Sequence, residues 1–124
     1  MAIGSLAPPL SAFTAYGVGT RVSAHNLANV LTSGFKAGRV VFGDLPDRSG
    51  VRAEAVQKTS AEGPPVPYGP GLPDSGEGGF VEGSTTDVAR EMVNLIVNSR
   101  TYQANAKTVR TSDEMLGTII NMKV

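Results

Sequence analysis

Side chains able to do acid–base or nucleophilic chemistry are few in this chain. His25 is the only histidine, there is no cysteine, and no Gly-x-Ser-x-Gly turn presents a serine. The nearest polar neighbours of His25 are the amides of Asn26 and Asn29, on a segment that otherwise has the spacing of a structural helix. A general base needs a partner in a defined position. We therefore predict no catalytic residue, and interpret His25 as a solvated or hydrogen-bonded helix residue.

Carboxylates and glycines that could hold a metal or a phosphate also lack the required spacing. Asp113 and Glu114 are adjacent, so on a helix they point about 100° apart and cannot flank one substrate. The acidic group in the middle of the chain lacks the alternating oxygen ligands and closing glutamate of a calcium loop; its members are Asp74, Glu77 and Glu82. The glycine run 76–79 precedes neither a lysine nor a nearby helix start. We predict no metal, cofactor or phosphate site.

Charge and hydropathy exclude further classes of function. The 124 residues have a formal net charge of zero, distributed as +3 over residues 1–43, −4 over 44–83 and +1 over 84–124. No basic stripe is present, so nucleic-acid binding is not predicted. No apolar run is long enough to span a bilayer, and the first basic side chain is Arg21, so we expect no direct membrane insertion and no cleaved signal peptide.

The element that positions His25 is a helix near the start of the chain. Apolar and small residues recur in alternating steps of three and four from Ile3 to Leu31, the spacing of one helix face. We call this line the first seam; its members are Ile3, Leu6, Leu10, Phe13, Gly17, Thr20, Ala24, Leu27 and Leu31. It predicts a helix over Pro9–Val30 that stops at residues 32–34, where Gly34 can adopt a left-handed conformation.

A second and longer helix is predicted near the end of the chain. Ser84, followed three residues later by Asp87, resembles a capping box. After it, the same steps of three and four run from Val88 to Ile120, with a second apolar line beside them. The pattern predicts about 37 residues of helix, which would overhang the first helix by roughly 20 Å. Another molecule must cover the apolar surface of that overhang.

Between the helices the chain favours strands and turns. Residues 39–42 and 51–55 are predicted to be strands of a short hairpin. The stretch 63–83 contains seven glycines and five prolines, which excludes a long helix and disfavours a central strand. We therefore predict a mainly α fold in three regions: 1–34, the first helix and its stop; 35–83, a β-hairpin and Gly/Pro-rich loop; and 84–124, the second helix. The two helices are expected to pair as an antiparallel coiled-coil-like hairpin.

Motifs at both ends resemble those of a known family. The run SAHNLANVLTSGFKA, at 23–37, resembles the N-terminal signature of bacterial flagellar rod and hook proteins, in which Asn-Leu-Ala-Asn leads to Thr-x-Gly-Phe/Tyr-Lys. The runs EMVNLI, RTYQANA and DEML, at 91–96, 100–106 and 113–116, resemble the C-terminal signature of the same family. The stretch 68–75 with Gly79-Phe80-Val81 looks like the Pro-rich loop of flagellar basal-body rod protein C, a proximal-rod subunit.

The resemblance implies a structural, non-enzymatic subunit of the flagellar basal-body rod. Such subunits assemble through their terminal helices into the axial drive shaft that crosses the periplasm and transmits torque for motility. Implied partners are copies of the chain, other rod proteins and the flagellar type III export apparatus; such subunits are commonly disordered before assembly. We predict an assembly interface formed by Leu6, Leu10, Phe13, Asn26, Leu27, Asn29, Met92, Leu95, Tyr102, Asn105, Val109, Leu116 and Ile120.

Several alternatives remain open from the sequence. The chain could be another short rod or hook subunit, a soluble dimeric helical adaptor or chaperone, or a small hydrolase that uses His25. A stable helical dimer in dilute solution would favour the adaptor, and activity lost in His25→Ala would favour the hydrolase. A polar ridge on the second helix is either a solvated face or a device that sets helix register; its members are Asn94, Asn98, Gln103 and Asn105.

Overall fold

The computed structural model describes residues 6–46, 49–67 and 79–122. The elements in chain order are α1 (Ala7–Ala28), β1 (Gly38–Asp44), β2 (Val51–Lys58), β3 (Pro65–Pro67), β4 (Phe80–Glu82) and α2 (Val88–Asn121). Strands β1 and β2 pair antiparallel, and β3 and β4 form a separate antiparallel pair. The predicted hairpin is confirmed and is longer than expected. Residues 1–5 of the first helical pattern and the Pro-rich motif at 68–75 lie outside the described residues.

Helix α1 begins and ends two residues earlier than the spacing predicts. Pro8 lies in its first turn, where a missing N–H costs no helical hydrogen bond. Beyond the helix end, Gly34 has a φ of 68°, the left-handed conformation expected of it. The chain then turns toward the segment before α2, since the Gly34 N–H donates to the Glu82 carbonyl at 2.7 Å.

Helix α2 begins where the sequence indicates, but a different residue caps it. The carboxylate of Asp87 accepts the backbone N–H of Arg90 at 3.1 Å, so Asp87 itself is the N-cap. Ser84 instead closes a local turn in which its hydroxyl accepts the Thr86 N–H at 3.1 Å. The prediction that Ser84 caps the helix is therefore wrong, whereas the predicted start of the helix after Asp87 is confirmed. Helix α2 has 34 residues.

The two helices run antiparallel. Asn26 near the end of α1 is hydrogen-bonded to Glu91 near the start of α2. Further along α2, the ring centroid of Tyr102 is 4.5 Å from that of Phe13, which lies closer to the start of α1. The 22 residues of α1 cover only part of the 34 residues of α2. From roughly residue 109 onward, α2 extends about 18 Å past the start of α1, as its length predicted.

The β1–β2 hairpin lies along α1. Its open end is near the C-terminus of α1, where Gly38 approaches Val22. In the middle, the rings of Phe42 and Tyr16 are 5.2 Å apart, and at the turn the Val51 N–H donates to the Ser11 hydroxyl at 3.1 Å. A strand of seven residues, with a rise of about 3.3 Å per residue, is as long as fifteen helical residues with a rise of about 1.5 Å per residue. One hairpin therefore covers most of α1.

This arrangement overturns the predicted fold class. The described chain combines two helices with two small antiparallel sheets, and it is not a mainly α coiled-coil hairpin. A coiled coil needs large apolar side chains from both helices at the seam. Here the buried face of α1 consists of small or polar residues, because α2 and the hairpin both pack closely against it: Pro9, Ala12, Ala15, Gly19, Ser23 and Asn26.

The first seam lies roughly a third of a turn away from that buried face. Leu31 is 94% exposed and Leu10 is 54% exposed, whereas the buried hydrophobic side chains of the described residues are Ala12 and Ala15. Large apolar side chains on α1 therefore point beside the helix–helix contact or away from it. The described part of the chain by itself has very little apolar core.

Candidate assembly interface

A cluster of buried polar groups joins the end of α1 to the start of α2. We call it the junction; it consists of Asn26, Gly38, Thr86 and Glu91. The Asn26 amide nitrogen donates to the Gly38 carbonyl at 2.7 Å and to Glu91 Oε1 at 3.0 Å, and its oxygen accepts the Gly38 N–H at 2.9 Å. Asn26 is 0% exposed. The Asn26 side chain therefore makes the same pair of hydrogen bonds to Gly38 of β1 that a neighbouring strand would make, and it also binds Glu91 of α2.

The backbone of Asn26 makes a further bond to the segment before α2. The Thr86 hydroxyl donates to the Asn26 carbonyl at 3.1 Å, so this carbonyl in the last turn of α1 accepts a second hydrogen bond beside that from the Asn29 N–H. Glu91 is buried in the first turn of α2, where negative charge is favoured by the helix dipole. No buried side-chain nitrogen or oxygen among the described residues is without a partner. The junction is thus complete within one chain.

Beside the junction, residues 34–37 pair with residues 82–85 in what we call the clasp. The Thr85 N–H donates to the Phe35 carbonyl at 3.0 Å, and the Ala37 N–H donates to the Thr85 hydroxyl at 2.8 Å. The N-terminal motif continues into this clasp through Phe35 and Lys36. The motif residues after α1 therefore bind the segment that leads into α2, rather than solvent.

An ion pair between Lys36 and Glu82 closes the clasp. The Lys36 ammonium also donates to the Ala61 carbonyl at 2.7 Å, and Glu82 Oε1 accepts the Gly63 N–H at 2.7 Å. The Lys36 hydrogen bond, followed by the Gly63 hydrogen bond, lowers the pKa of Glu82 below its ordinary value, and burial opposes this only in part. Glu82 thus connects the loop at 61–63 to the end of α1.

The outer face of α2 has the opposite character. We define the outer face as the exposed apolar side chains on the first turns of α2: Val88, Met92, Val93, Ile96 and Val97. Their positions in the helical repeat place them on the side of α2 away from Glu91 and Asn98, which face α1. Contiguous exposed apolar side chains of this kind mark an interaction surface.

The predicted interface residues divide among three environments. Asn26 lies in the junction and is buried by its own chain. Leu10, Met92, Tyr102 and Ile120 are exposed. The others are half-buried in the single chain: Leu6, Phe13, Leu27, Asn29, Leu95, Asn105, Val109 and Leu116. Their part in contacts between subunits stays a prediction, and the exposed members are available for it.

The polar ridge also divides. Asn98 is buried against Gly19, where an added Cβ would lie 2.9 Å from the Asn98 amide nitrogen. Asn94 and Gln103 are exposed, and Asn105 donates within the helix to the Thr101 carbonyl at 2.9 Å. Neither open interpretation therefore holds for the whole ridge, because only Asn98 occupies a position between the helices.

Sequence reasoning missed the partners that complete the polar contacts. Glu91 was singled out only as the first residue of the EMVNLI motif, and Glu82 only as a member of the acidic group in the middle of the chain. Glu91 begins the motif at 91–96, and Glu82 directly follows the motif residues 79–81. Because Leu95 continues a periodic apolar line, the position of Glu91 one helical turn before it is the signal that Glu91 is buried. His25 is exposed, with its ring edge-on to Phe35 at 5.5 Å.

The described ranges contain no group of three or more His, Asp or Glu side chains placed to hold a metal ion. Neither helix, over the residues that the structure describes, has the length and hydropathy needed to cross a membrane.

Comparisons with known proteins agree with the motifs. Residues 77–122 match the family model described as flagellar basal body rod FlgEFG protein C-terminal. Flagellar basal-body rod protein FlgG of Buchnera aphidicola subsp. Baizongia pistaciae is 30% identical over 122 residues, which cover 91% of this chain and 47% of that protein.

Two further relatives match shorter stretches. FlgG of Buchnera aphidicola subsp. Acyrthosiphon pisum is 45% identical over 62 residues, 48% of this chain and 24% of the relative. Flagellar hook protein FlgE of Escherichia coli is 44% identical over 45 residues, 36% of this chain and 11% of the relative. The chain thus spans less than half the length of these relatives. Together, these matches and the two end motifs show that the chain is similar to bacterial flagellar basal-body rod and hook proteins.

Proposed function

We propose that the chain is a structural subunit of the flagellar rod, assembling with copies of itself and with other rod proteins, and that it has no catalytic role. The drive shaft formed in this way would transmit torque across the periplasm. The named relatives are rod and hook proteins, which supports a place on this axis of the flagellum.

The distribution of apolar side chains carries the proposal. Within the described residues, only Ala12 and Ala15 are buried hydrophobics, while the outer face of α2 is exposed. Ordering a residue costs about 1–2 kcal/mol of backbone entropy, and burying apolar surface is the main force that offsets it. A chain that leaves its large apolar groups uncovered gains that burial only when neighbours cover them. Packing into a polymer meets this need for every subunit.

Two finer assignments belong to the same proposal. The first is a place in the proximal rod, most like rod protein C. Its support is the short segment between the helices: the described parts of residues 29–87 form only two small sheets and no inserted domain. The second is export through the flagellar type III apparatus without a cleaved signal peptide. A chain with a small apolar core is well suited to passing through a narrow channel unfolded, since little stabilisation is lost.

The test is a deletion of the gene in its own bacterium, complemented by the wild-type chain or by Ile96→Asp. Ile96 is 62% exposed on the outer face, so the aspartate removes apolar contact surface without entering the chain's own packing. We expect the deletion and Ile96→Asp strains to lose motility and intact rods, as judged by soft-agar spreading and electron microscopy of basal bodies.

Two controls accompany this test. Ile96→Leu keeps the apolar surface and should restore motility, and Ser60→Asp adds the same charge at an exposed loop site and should also restore it. Circular dichroism of purified Ile96→Asp should match the wild type. A motile deletion strain with normal rods would rule out the proposal.

A further inference from the structure

A groove runs between α1 and β2 on the side of α1 away from α2. Its apolar walls are formed by Val18, Val22, Phe35 and Val56, and it encloses about 260 Å³. Val56 is 50% exposed, so the groove opens to solvent. Its volume is below the roughly 300–1,000 Å³ of sites that hold whole small-molecule ligands. One or two side chains of another protein segment would fill it.

Cations border this groove. Arg21 and Lys58 line its rim, and both are exposed. Across residues 6–46, 49–67 and 79–122, no carboxylate lies within 4.0 Å of either cation. Lys36 also lines the groove but is engaged by Glu82 in the clasp. The groove therefore suits a segment that presents apolar side chains beside a free carboxylate.

The overhang of α2 presents this combination. Asp113, Leu116 and Ile120 are spaced by three and four residues and so share one helix face. Ile120 is 71% exposed, and Asp113 is exposed with no cation within 4.0 Å in the described part of the chain.

The overhang also carries Arg110, but this cation is paired with Glu114. The outer face of α2 is bordered by exposed Arg90 and Arg100, which have no carboxylate within 4.0 Å in the described part of the chain and which the cations of the groove would repel.

The overhang cannot reach the groove of its own chain. The groove is level with the part of α2 near Asn98, because Asn98 packs against Gly19. Leu116 and Ile120 lie about 30 Å further along the same continuous helix. Any contact between the two surfaces must therefore join different copies. Such a contact uses two different patches, and contacts of this type build open helical assemblies when the rotation does not close.

We propose that the groove of one subunit receives the α2 overhang of a second copy, with Asp113 between Arg21 and Lys58 and Ile120 against Val22 and Val56. This proposal rests on the proposed function and assigns one of its subunit contacts. The complementary charges set the register of the contact, and the apolar side chains exclude water from it.

A charge swap tests the proposal in complemented cells. Arg21→Glu combined with Lys58→Glu, and separately Asp113→Lys, should each reduce recovery of the chain in purified basal bodies by roughly tenfold or more. The three changes together should restore recovery. Arg39→Glu reverses an exposed cation on β1 that does not line the groove; it is the matched control and should have little effect. Wild-type recovery in both charge-reversed strains, or a loss that the triple variant does not reverse, would overturn the proposed contact.

Cross-linking provides a second, independent readout. The natural chain has no cysteine, so Val56→Cys and Ile120→Cys introduce the only thiols. Cells that express both single-cysteine chains together should give an oxidised dimer in the basal-body fraction containing one chain of each kind. A Ser60→Cys chain paired with Ile120→Cys should not. If the subunits are incorporated but neither heterodimer forms, the groove contact is wrong while the rod function stands. If a small molecule or another protein fills the groove, mass spectrometry will find it in place of the heterodimer, which also overturns the proposal.

Discussion

The junction and the outer face of α2 lie on opposite sides of the same helix and are built in opposite ways. At the junction, Asn26 and Glu91 are buried and fully hydrogen-bonded within the chain. On the outer face, the apolar side chains of Met92 and Ile96 are 56% and 62% exposed. An ordinary soluble domain has the reverse arrangement, with apolar groups inside and amides and carboxylates outside.

This difference separates the contacts that define the shape of the chain from the apolar surface that remains available for contacts with other molecules. Hydrogen bonds are directional, so the junction and clasp determine how α1, β1 and α2 are oriented. Apolar burial is not directional and scales with the area removed from water. A subunit that defines its own shape with polar bonds can keep its apolar area for its neighbours. The following changes test that division of roles.

The largest effect is expected from removing the amide of Asn26. Asn26→Ala leaves the Gly38 N–H, the Gly38 carbonyl and the Glu91 carboxylate without a buried partner, each of which costs about 1–3 kcal/mol. We expect the free energy of unfolding to fall by about 3 kcal/mol, measured by urea denaturation of the purified chain with circular dichroism.

Asn29→Ala is the matched control for this change. Asn29 has the same side chain three residues away, but it is half-buried and makes only local contacts: it donates to the His25 carbonyl and accepts the Thr32 hydroxyl. Its loss should cost less than about 1 kcal/mol. If both variants lose the same amount, the junction has no special role in stability.

A smaller effect is expected where α1 and α2 approach most closely. A methyl group at Gly19 would lie 2.9 Å from the Asn98 amide and 3.3 Å from the Phe42 ring, so Gly19→Ala should lower stability by about 1 kcal/mol despite its better helix propensity. Gly17→Ala adds the same methyl with no atom within 4 Å. It should raise stability by about 0.5–1 kcal/mol. Thermal unfolding distinguishes these opposite signs, and equal shifts would contradict the close approach.

A smaller and pH-dependent effect is expected at the clasp. The pKa of Glu82 is lowered in the folded chain by Lys36 and Gly63, so its contribution to stability is present above the unfolded pKa of about 4.5 and is lost as pH falls through the folded value. Glu82→Gln should be less stable than the wild type near neutral pH and should lose less on acidification.

The partner variant checks the cause of that pH dependence. Lys36→Met removes the main interaction that lowers the pKa of Glu82. Adding Glu82→Gln to Lys36→Met should therefore change the pH profile less than it does in the wild type. Urea denaturation at a series of pH values gives the four profiles, and an unchanged effect of Glu82→Gln would assign the shift to another group.

The smallest effect is expected on the overhang of α2. Arg110 and Glu114 form an exposed ion pair at 2.9 Å with the spacing of adjacent helical turns. A double-mutant cycle with Arg110→Ala and Glu114→Ala should give a coupling of about 0.3–0.5 kcal/mol that disappears in high salt. A coupling energy as large as the stability loss expected for Asn26→Ala would mean that the overhang is stabilised within the single chain.

Much of the local structure could be predicted from the sequence, and the reason is periodicity. Steps of three and four residues identified both helices, and turn residues identified the hairpin and the left-handed Gly34. The small β3–β4 sheet was not predicted, because proline discourages central strands but does not prevent a three-residue pair in which both strands are edges. The capping error at Ser84 arose because Ser84 and Asp87 both suit the N-cap position and only the local geometry selects one.

The candidate site was predictable only in part. Asn26 and Tyr102 were singled out from motif and seam, yet the burial of Asn26 and the exposure of half of Tyr102 depend on what packs beside them. The first seam of α1 lies beside the buried face of the helix rather than on it. Apolar periodicity shows that a helix has an apolar side, but it does not show whether the chain's own partner or a neighbouring subunit covers that side.

By itself, the sequence determined two helices, a hairpin between them and a resemblance to flagellar rod and hook proteins, because local propensity and motif spacing act over short stretches of chain. Only the tertiary structure decided that small and polar residues form the inner face and large apolar residues the outer one. That choice depends on how closely α1, α2 and the β1–β2 hairpin can approach. Gly19 and Ala15 permit a close approach, the amide of Asn26 bonds across it, and side chains as large as those of Leu10 or Ile96 do not fit there.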